Sequence, residues 1–278
     1  MRRVGGHVSM AGSLLNAIKK TEEIGGNCLQ IFAGSPRLWF RKPFPEDQVE
    51  AYLSESERLN IKPTFIHALY LVNLASINKD ILEKSINSLI MDIQNGARLK
   101  SAGVIVHIGS HLGAGFDSAK DQILAVIQRI LASTENCDLI LENDAGQNGK
   151  IGSLEEISFL IKTIKDKRLK MCLDTAHLFE SGVDIRKKDE VEKISKQLKD
   201  LDLSDKLVCI HLNDSATVLN SHRDMHANIG EGEIGLEGLR NLINHHSFNS
   251  LPLILEVPGE NHAGSDAKNI TIAKGLIN

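Results

Sequence analysis

The chain has 278 residues, 42% hydrophobic and 24% charged with only 6 prolines, which predicts one α/β domain over residues 1–278 and excludes a low-complexity linker. Apolar runs such as "SAGVIVHIG" and "LPLILEV" fall short of the roughly 18 residues of a membrane span, and "MRRVGGHVSM" lacks a signal-peptide apolar region with a cleavage site, so a soluble, cytoplasmic protein is expected. The 32 basic and 36 acidic residues leave a formal charge of −4, which argues against a nucleic-acid partner if every acid faces solvent.

In chain order, the predicted strands are "RVGGHVS", "CLQIF", "PTFIH", "VIVHIG", "LILEN", "MCLDTAH", "LVCIHLND" and "LPLILEV". Between them lie helical periodicities at 13–25, 81–103, 119–134, 153–167 and 189–201. Ser153, with Glu156 three residues on, reads as a capping box. Strands alternating with helices require parallel pairing through crossovers, and eight such units fit a closed (β/α)₈ TIM barrel. An open doubly wound sheet is the alternative, but "GGHVSMAG" does not carry the glycine-rich turn that follows its first strand. The literal GxGxxG in "GEGEIG" (230–235) follows a polar loop, not a strand, and reads as a turn-rich lead into the helix "GLEGLRNLIN". Cys28, Cys137, Cys172 and Cys209 form no CxxC and read as reduced core residues.

The polar groups fall at strand ends. Strand three ends at His67, four at His107, five at Glu142, six at Asp174 and His177, seven at His211 and eight at Glu256. The loop after strand seven adds Asp224 and His226. In a TIM barrel these ends meet at one mouth, and burying so many carboxylates and imidazoles is costly unless they share a partner. Imidazole and carboxylate without thiolate suit zinc, with manganese or iron as competitors. Nine such groups could hold two or three ions if carboxylates are shared. Asp174 and His177 could serve neighbouring ions, while Asp224 and His226, two apart in an extended loop, face one side and could chelate a single ion. Each residue has a structural alternative: a lone strand-end histidine is usually hydrogen-bonded, and Asp174 could cap the following turn. Ligand-type residues at six consecutive strand ends favour the joint reading.

With these blocks in view, the chain resembles the endonuclease IV family of apurinic/apyrimidinic (AP) endonucleases, TIM barrels with a trinuclear zinc centre. The resemblance runs from "GGHVSMAG" to "LPLILEVPG" and is carried by "LILENDAGQ", "MCLDTAHLFESGVDIR", "CIHLNDS" and "RDMHANIGEGEIG". It implies one zinc on His67, His107 and Glu142, a second on Glu142, Asp174, His211 and Glu256, and a third on His177, Asp224 and His226. Three divalent ions would bring the formal −4 to +2, which meets the charge objection. The implied reaction is hydrolysis of the phosphodiester 5′ of an abasic site by metal-activated water, leaving 3′-hydroxyl and 5′-deoxyribose phosphate ends. Glu142 and Glu256 are the implied catalytic residues, Glu142 holding the centre and Glu256 also orienting the nucleophile.

The implied partner is double-stranded DNA with abasic sites or blocked 3′ ends, met by a monomer without membrane contact. In "GSPRLWFRKP" (34–43), Arg37, Arg41 and Lys42 interleave with Trp39 and Phe40, a pattern suited to phosphate contacts and stacking. Tyr70 and Leu71 match the family's wedge into the base stack. The alternative is that Trp39 and Phe40 only cover the rim and that Tyr70 packs on a neighbouring helix. Ala68 and Leu69 replace a usual polar pair, Ile108 a proline, and Met225 a basic residue, which puts outer support and one phosphate contact in question, with Arg223 a substitute for that contact. His7 and His111 are expected to support ligands or face substrate, whereas His222, His245, His246 and His262 are expected at the surface. Two rivals stand beside this reading: a metal-dependent sugar isomerase or epimerase on a related barrel, and a lesion-binding protein without catalysis.

Overall fold

The computed structural model describes residues 2–278, and in it the eight predicted strands close into a parallel barrel. The first half of the chain gives β1 (Val4–His7), α1 (Leu14–Glu23), β2 (Leu29–Phe32), α2 (Glu46–Arg58), β3 (Thr64–His67), α3 (Lys79–Arg98), β4 (Gly103–Val106) and α4 (Phe116–Ala132). The second half gives β5 (Asp138–Glu142), α5 (Leu154–Ile164), β6 (Leu169–Asp174), α6 (Thr175–Glu180), α7 (Lys188–Asp200) and β7 (Leu207–His211). A two-residue ribbon of β8 (Asp214–Ser215) and β9 (His226–Ala227) precedes α8 (Gly235–Ile243), β10 (Leu253–Leu255) and α9 (Ala267–Gly275). Around the barrel the order is β1-β10-β7-β6-β5-β4-β3-β2.

The strands are short apolar runs because both faces are covered; β3 and β4 are buried along their whole length. Their outward side chains join the amphipathic helices in the main core, while Cys28, Phe65, Ile105, Ile140, Cys172, Cys209 and Ile254 form a separate plug inside the barrel. All four cysteines are buried and free. Ser153 and Glu156 form both halves of the expected capping box at the start of α5. Among the described residues, no helix is long and apolar enough to cross a membrane.

Besides the β8–β9 ribbon and α9, which the sequence pattern does not mark, α6 and α2 differ from it for local reasons. "MCLDTAH" is strand only to Asp174, whose carboxylate accepts the His177 amide and starts α6, so His177 projects from a helical first turn. Helix α2 escapes the periodicity because among its residues only Val49 and Tyr52 are buried, too few to mark an apolar stripe.

Candidate metal centre

Strand periodicity builds the mouth. Side chains alternate across a strand, so the residue two beyond each plug residue also faces inward, one layer higher. Phe65 is followed by His67, Ile105 by His107, Ile140 by Glu142, Cys172 by Asp174, Cys209 by His211 and Ile254 by Glu256. On β1, Gly5 takes the plug position because a Cβ there would lie 1.7 Å from the Cys28 carbonyl oxygen, and His7 stands two residues on. The same step from Cys28 leads to Gln30, a fully buried amide absent from the strand-end reading.

Three ligand sets overlap at this level. His67, His107 and Glu142 form one, and Glu142, Asp174, His211 and Glu256 another. Glu142 belongs to both through different oxygens: Oε2 lies 3.3 Å from His67 Nε2 and 3.5 Å from His107 Nε2, while Oε1 lies 2.7 Å from His211 Nδ1. In the third set Asp224 Oδ1 lies 3.2 Å from His177 Nε2 and 3.6 Å from His226 Nε2. Asp174 also reaches this set, with Oδ2 3.7 Å from His226 Nε2, although the sequence reading assigns it to the second alone. Cys172 Sγ falls within reach of Glu142 and His211, but burial pushes its thiol well above the ordinary range and it belongs to the plug.

The imidazoles are oriented by acceptors that have no proton to give. His67 Nδ1 donates to the Ala68 carbonyl at 2.7 Å, His177 Nδ1 to the Asn143 carbonyl at 2.9 Å and His226 Nδ1 to the Glu256 carbonyl at 3.1 Å. A carbonyl only accepts, so each ring carries a proton on Nδ1 and turns its Nε2 to the centre. Nε2 of His177 and of His226 is buried without a hydrogen-bond partner, which fits a metal ligand and is costly otherwise. Because the supporting groups of His67 and His226 are backbone, Ala68 and Met225 do not weaken them. Ala68, Leu69 and Ile108 are buried packing residues, and Met225 is 51% exposed.

The electrostatics point the same way. Burial would raise the Glu142 carboxyl, yet the neighbouring His211 and His107 hold it well below the usual range. Asp224 and Glu256 are likewise lowered against burial, by His177 and by His211 with His7 respectively. Burial would lower His177, but Asp174 and Asp224 hold it well above its ordinary value. The carboxylates thus demand positive charge at the mouth, the demand that divalent cations meet.

Apart from His7 and Gln30, the surrounding groups carry no signal in the sequence pattern. Gln30 donates to Glu256 Oε1 at 2.5 Å and accepts from His211 Nε2 at 2.9 Å, which fixes His211 with Nδ1 toward Glu142. His7 Nδ1 lies 3.2 Å from Glu256 Oε1. Asn213 donates to Asp174 Oδ2 at 2.6 Å and accepts the Glu256 amide at 2.7 Å. Asp144 Oδ2 lies 3.1 Å from both His107 Nδ1 and Lys150 Nζ. Only the inward step from Cys28 could have flagged one of these, Gln30, before the fold was known; the others depend on loops.

The mouth opens into a cavity of about 480 Å³ lined by Phe32, Tyr70 and Pro258 together with six of the nine ligand-type residues. Tyr70 and Leu71 are 63% and 40% exposed on its rim, and Tyr70 meets Phe32 edge-on with centroids 5.2 Å apart. Arg37, Lys42 and Arg223 are exposed and Trp39 is half-buried against the core. Arg41 departs from the expectation of a DNA contact. Its guanidinium is buried against Asp92 at 3.0 Å and donates to the carbonyls of Ser35, Leu38 and Phe40, so it organises the loop from inside. His111 also departs: its Nδ1 accepts the Gly113 and Gly115 amides at 3.1 and 3.0 Å, tying up its own loop instead of supporting a ligand. His222, His246 and His262 are exposed, and His245 is half-buried beside Glu192 at 3.0 Å. The "GEGEIG" amides are already filled, since Asp214 accepts from Gly230, Gly232, Ile234 and Gly235 at 2.9–3.2 Å, where a nucleotide phosphate would have to bind.

Comparison with known proteins agrees with this architecture. The family model described as a xylose isomerase-like TIM barrel matches residues 18–274. A protein of Haloarcula marismortui named "Probable endonuclease 4" is 37% identical over 276 residues, 99% of each chain. A Sulfurihydrogenibium sp. protein of the same name is 36% identical over the full length of both chains, 280 residues. Endonuclease IV from Thermus thermophilus superposes with a TM-score of 0.86 at 31% identity, covering 99% of this chain and 98% of that one. A D-tagatose 3-epimerase-like protein at 19% identity and a TM-score of 0.72 shares the fold. In class, then, this is a xylose isomerase-like TIM barrel with a histidine and carboxylate cluster at its mouth. Within that class the chain belongs to the endonuclease IV family.

Proposed function

We propose that this chain is a zinc-dependent DNA-repair endonuclease, holding three ions, that hydrolyses the phosphodiester 5′ of abasic sites in duplex DNA and acts on blocked 3′ ends. The observation that carries this reading is the convergence of His67, His107, Glu142, Asp174, His177, His211, Asp224, His226 and Glu256 into three overlapping ligand sets. Two relatives matched over nearly their whole length bear an endonuclease name, which supports the substrate class.

Divalent ions held there supply water activation at neutral pH and neutralise phosphate charge. Without such cations, the carboxylates of Glu142, Asp174, Asp224 and Glu256 would repel a phosphodiester. Glu142 joins two ligand sets through its two oxygens, so its loss disturbs both. Glu256, its Oε1 held by Gln30 and His7, keeps Oε2 3.3 Å from His211 Nδ1 and orients the attacking water. Tyr70 and Leu71 wedge into the stack while an abasic nucleotide turns out into the cavity, a cheap motion because it has little stacking to lose. Arg37, Lys42 and Arg223 contact phosphates, and Trp39 backs the loop that presents Arg37. The products are a 3′-hydroxyl and a 5′-deoxyribose phosphate, released by a monomer of one domain.

The test is incision of a duplex carrying one abasic-site analogue, before and after chelation and with zinc restored. Metal-dependent cleavage 5′ of the lesion, with three zinc ions per chain by elemental analysis, is expected from the proposed ligand sets. Intact DNA in the presence of fully metallated protein would overturn the reading and turn attention to sugar substrates.

A further inference from the structure

The mouth cavity adjoins a second one of about 320 Å³, and Tyr70, His107 and Asp224 line both. Among the residues lining the two, Lys150 is the sole lysine or arginine. Its backbone is pinned, because Lys150 bridges Ser110 across two loops and the preceding Gly149 carbonyl accepts the His111 amide at 3.0 Å. The ammonium lies 3.1 Å from Asp144 Oδ2 and 3.3 Å from Asp224 Oδ2, and its side chain keeps 27% exposure.

Asp224 divides its oxygens. Oδ1 faces the Nε2 of His177, and Oδ2 faces Lys150. An ammonium has three donors; one goes to Asp224 Oδ2, while Asp144 Oδ2 stands beside it as an ion-pair partner without a hydrogen bond. A cation on Asp224 satisfies that carboxylate and leaves the lysine charge in surplus beside the cavity. Resting on the endonuclease reading and deepening it, we infer that Lys150 is a substrate-binding residue, one of whose remaining donors takes a phosphate oxygen next to the outer ligand set. Asp144 is its positioning residue, holding the ammonium on one side and His107 on the other.

The test compares the zinc-loaded protein with Lys150→Met and Lys150→Arg. Calorimetric titration with inorganic phosphate reads the contact alone, and KM on an abasic-site duplex across a salt series reads it in the substrate. In Lys150→Met, phosphate affinity should fall about tenfold, and the slope of log KM against log salt should shrink by about one contact. Zinc content should stay unchanged, and Lys150→Arg should restore the slope. Phosphate binding that is absent from the wild type or unaltered in Lys150→Met overturns the inference, as does loss of zinc, which would make the residue a support of the ligands. Phosphate binding lost in Lys150→Met while the wild type leaves abasic DNA intact would sink the abasic-site reading and keep the phosphate contact. Normal incision with unaltered phosphate binding would sink the contact alone.

Discussion

The mouth of the barrel and the loop on its rim are both rich in polar side chains, yet they are organised by different rules. At the mouth, every ligand-type strand residue stands two positions above an apolar plug residue, and the far nitrogens of several rings are held by backbone carbonyls. Direction is set by the strand, and changes such as Ala68 or Ile108 leave it alone. In the segment 34–43 no period operates, so each side chain turns to whatever partner the fold offers. Arg37 faces solvent, whereas Arg41, four residues later, turns inward to the buried Asp92 on α3. A basic residue in a loop is therefore weak grounds for a phosphate contact until its partners are known.

The sharpest way to break this contrast is at Glu142. Glu142→Ala removes oxygens from two ligand sets, and incision should fall on the order of a thousandfold or more while zinc content drops. Elemental analysis beside a single-turnover assay reads both effects, and a variant that keeps its metal and its rate would refute the shared role. Next in size is Arg41→Met, which leaves Asp92 buried without its cation. At pH 8 the loss should be about 3 kcal/mol by urea unfolding. Burial pushes the Asp92 carboxyl up to about 7 against the pull of Arg41, from an ordinary 3.8. The folded chain thus binds that proton more tightly than the unfolded one, so this group's contribution to stability falls as pH rises from about 4 toward 7. At pH 5 Asp92 is neutral in the folded wild type, and Arg41→Met should cost distinctly less there. An equal loss at both pH values would mean that the carbonyl contacts of Arg41, not the ion pair, hold the loop.

How much of this was legible follows the same division. The eight strands, their closure and six of the nine ligand-type positions sit on runs with a clear period or at the end of one; Asp224 and His226 lie in a polar loop without one, and His177 is the third exception. It lies three residues beyond Asp174 on a helix and not on the strand, because the cap that Asp174 offers competes with the strand pattern and only the fold shows that the cap wins. Gln30 was within reach, since the inward step from Cys28 lands on it, but an amide in an apolar run does not announce itself as a ligand's partner. Asp144, Lys150 and Asn213 were not, because their pairing depends on how separate loops meet over the barrel. Arg41 and His111 show the converse: residues of the right type whose partners, Asp92 and the Gly113 and Gly115 amides, claim them for local structure.

Smaller effects should separate the exposed rim from the buried loop anchor. Tyr70→Ala removes a ring that is largely exposed and meets Phe32 edge-on and His67 at a tilt, so the fold should keep its melting temperature. If the ring stacks on a base, the variant should lose about 1–3 kcal/mol of substrate binding, seen as a roughly tenfold rise in KM with kcat nearly kept. Leu71→Ala should follow with a smaller rise. A fall in kcat alone would place Tyr70 among the groups that align the reacting phosphate.

The smallest change is expected at Arg37, and it completes the comparison with Arg41. Its side chain is exposed, so Arg37→Ala should alter unfolding stability by no more than about 0.5 kcal/mol. As one phosphate contact among several, it should weaken DNA binding a few-fold at low salt, equally for lesion and undamaged duplex, and lower the salt slope by about one. Arg41→Met should do the reverse, costing stability first and affinity only through the disordered loop, so raising salt would not erase its defect. Fluorescence anisotropy across a salt series, run on both variants, distinguishes the two. A salt-sensitive defect in Arg41→Met with stability intact would mean that the guanidinium leaves Asp92 for the DNA, and the buried pair would then be a resting position instead of an anchor.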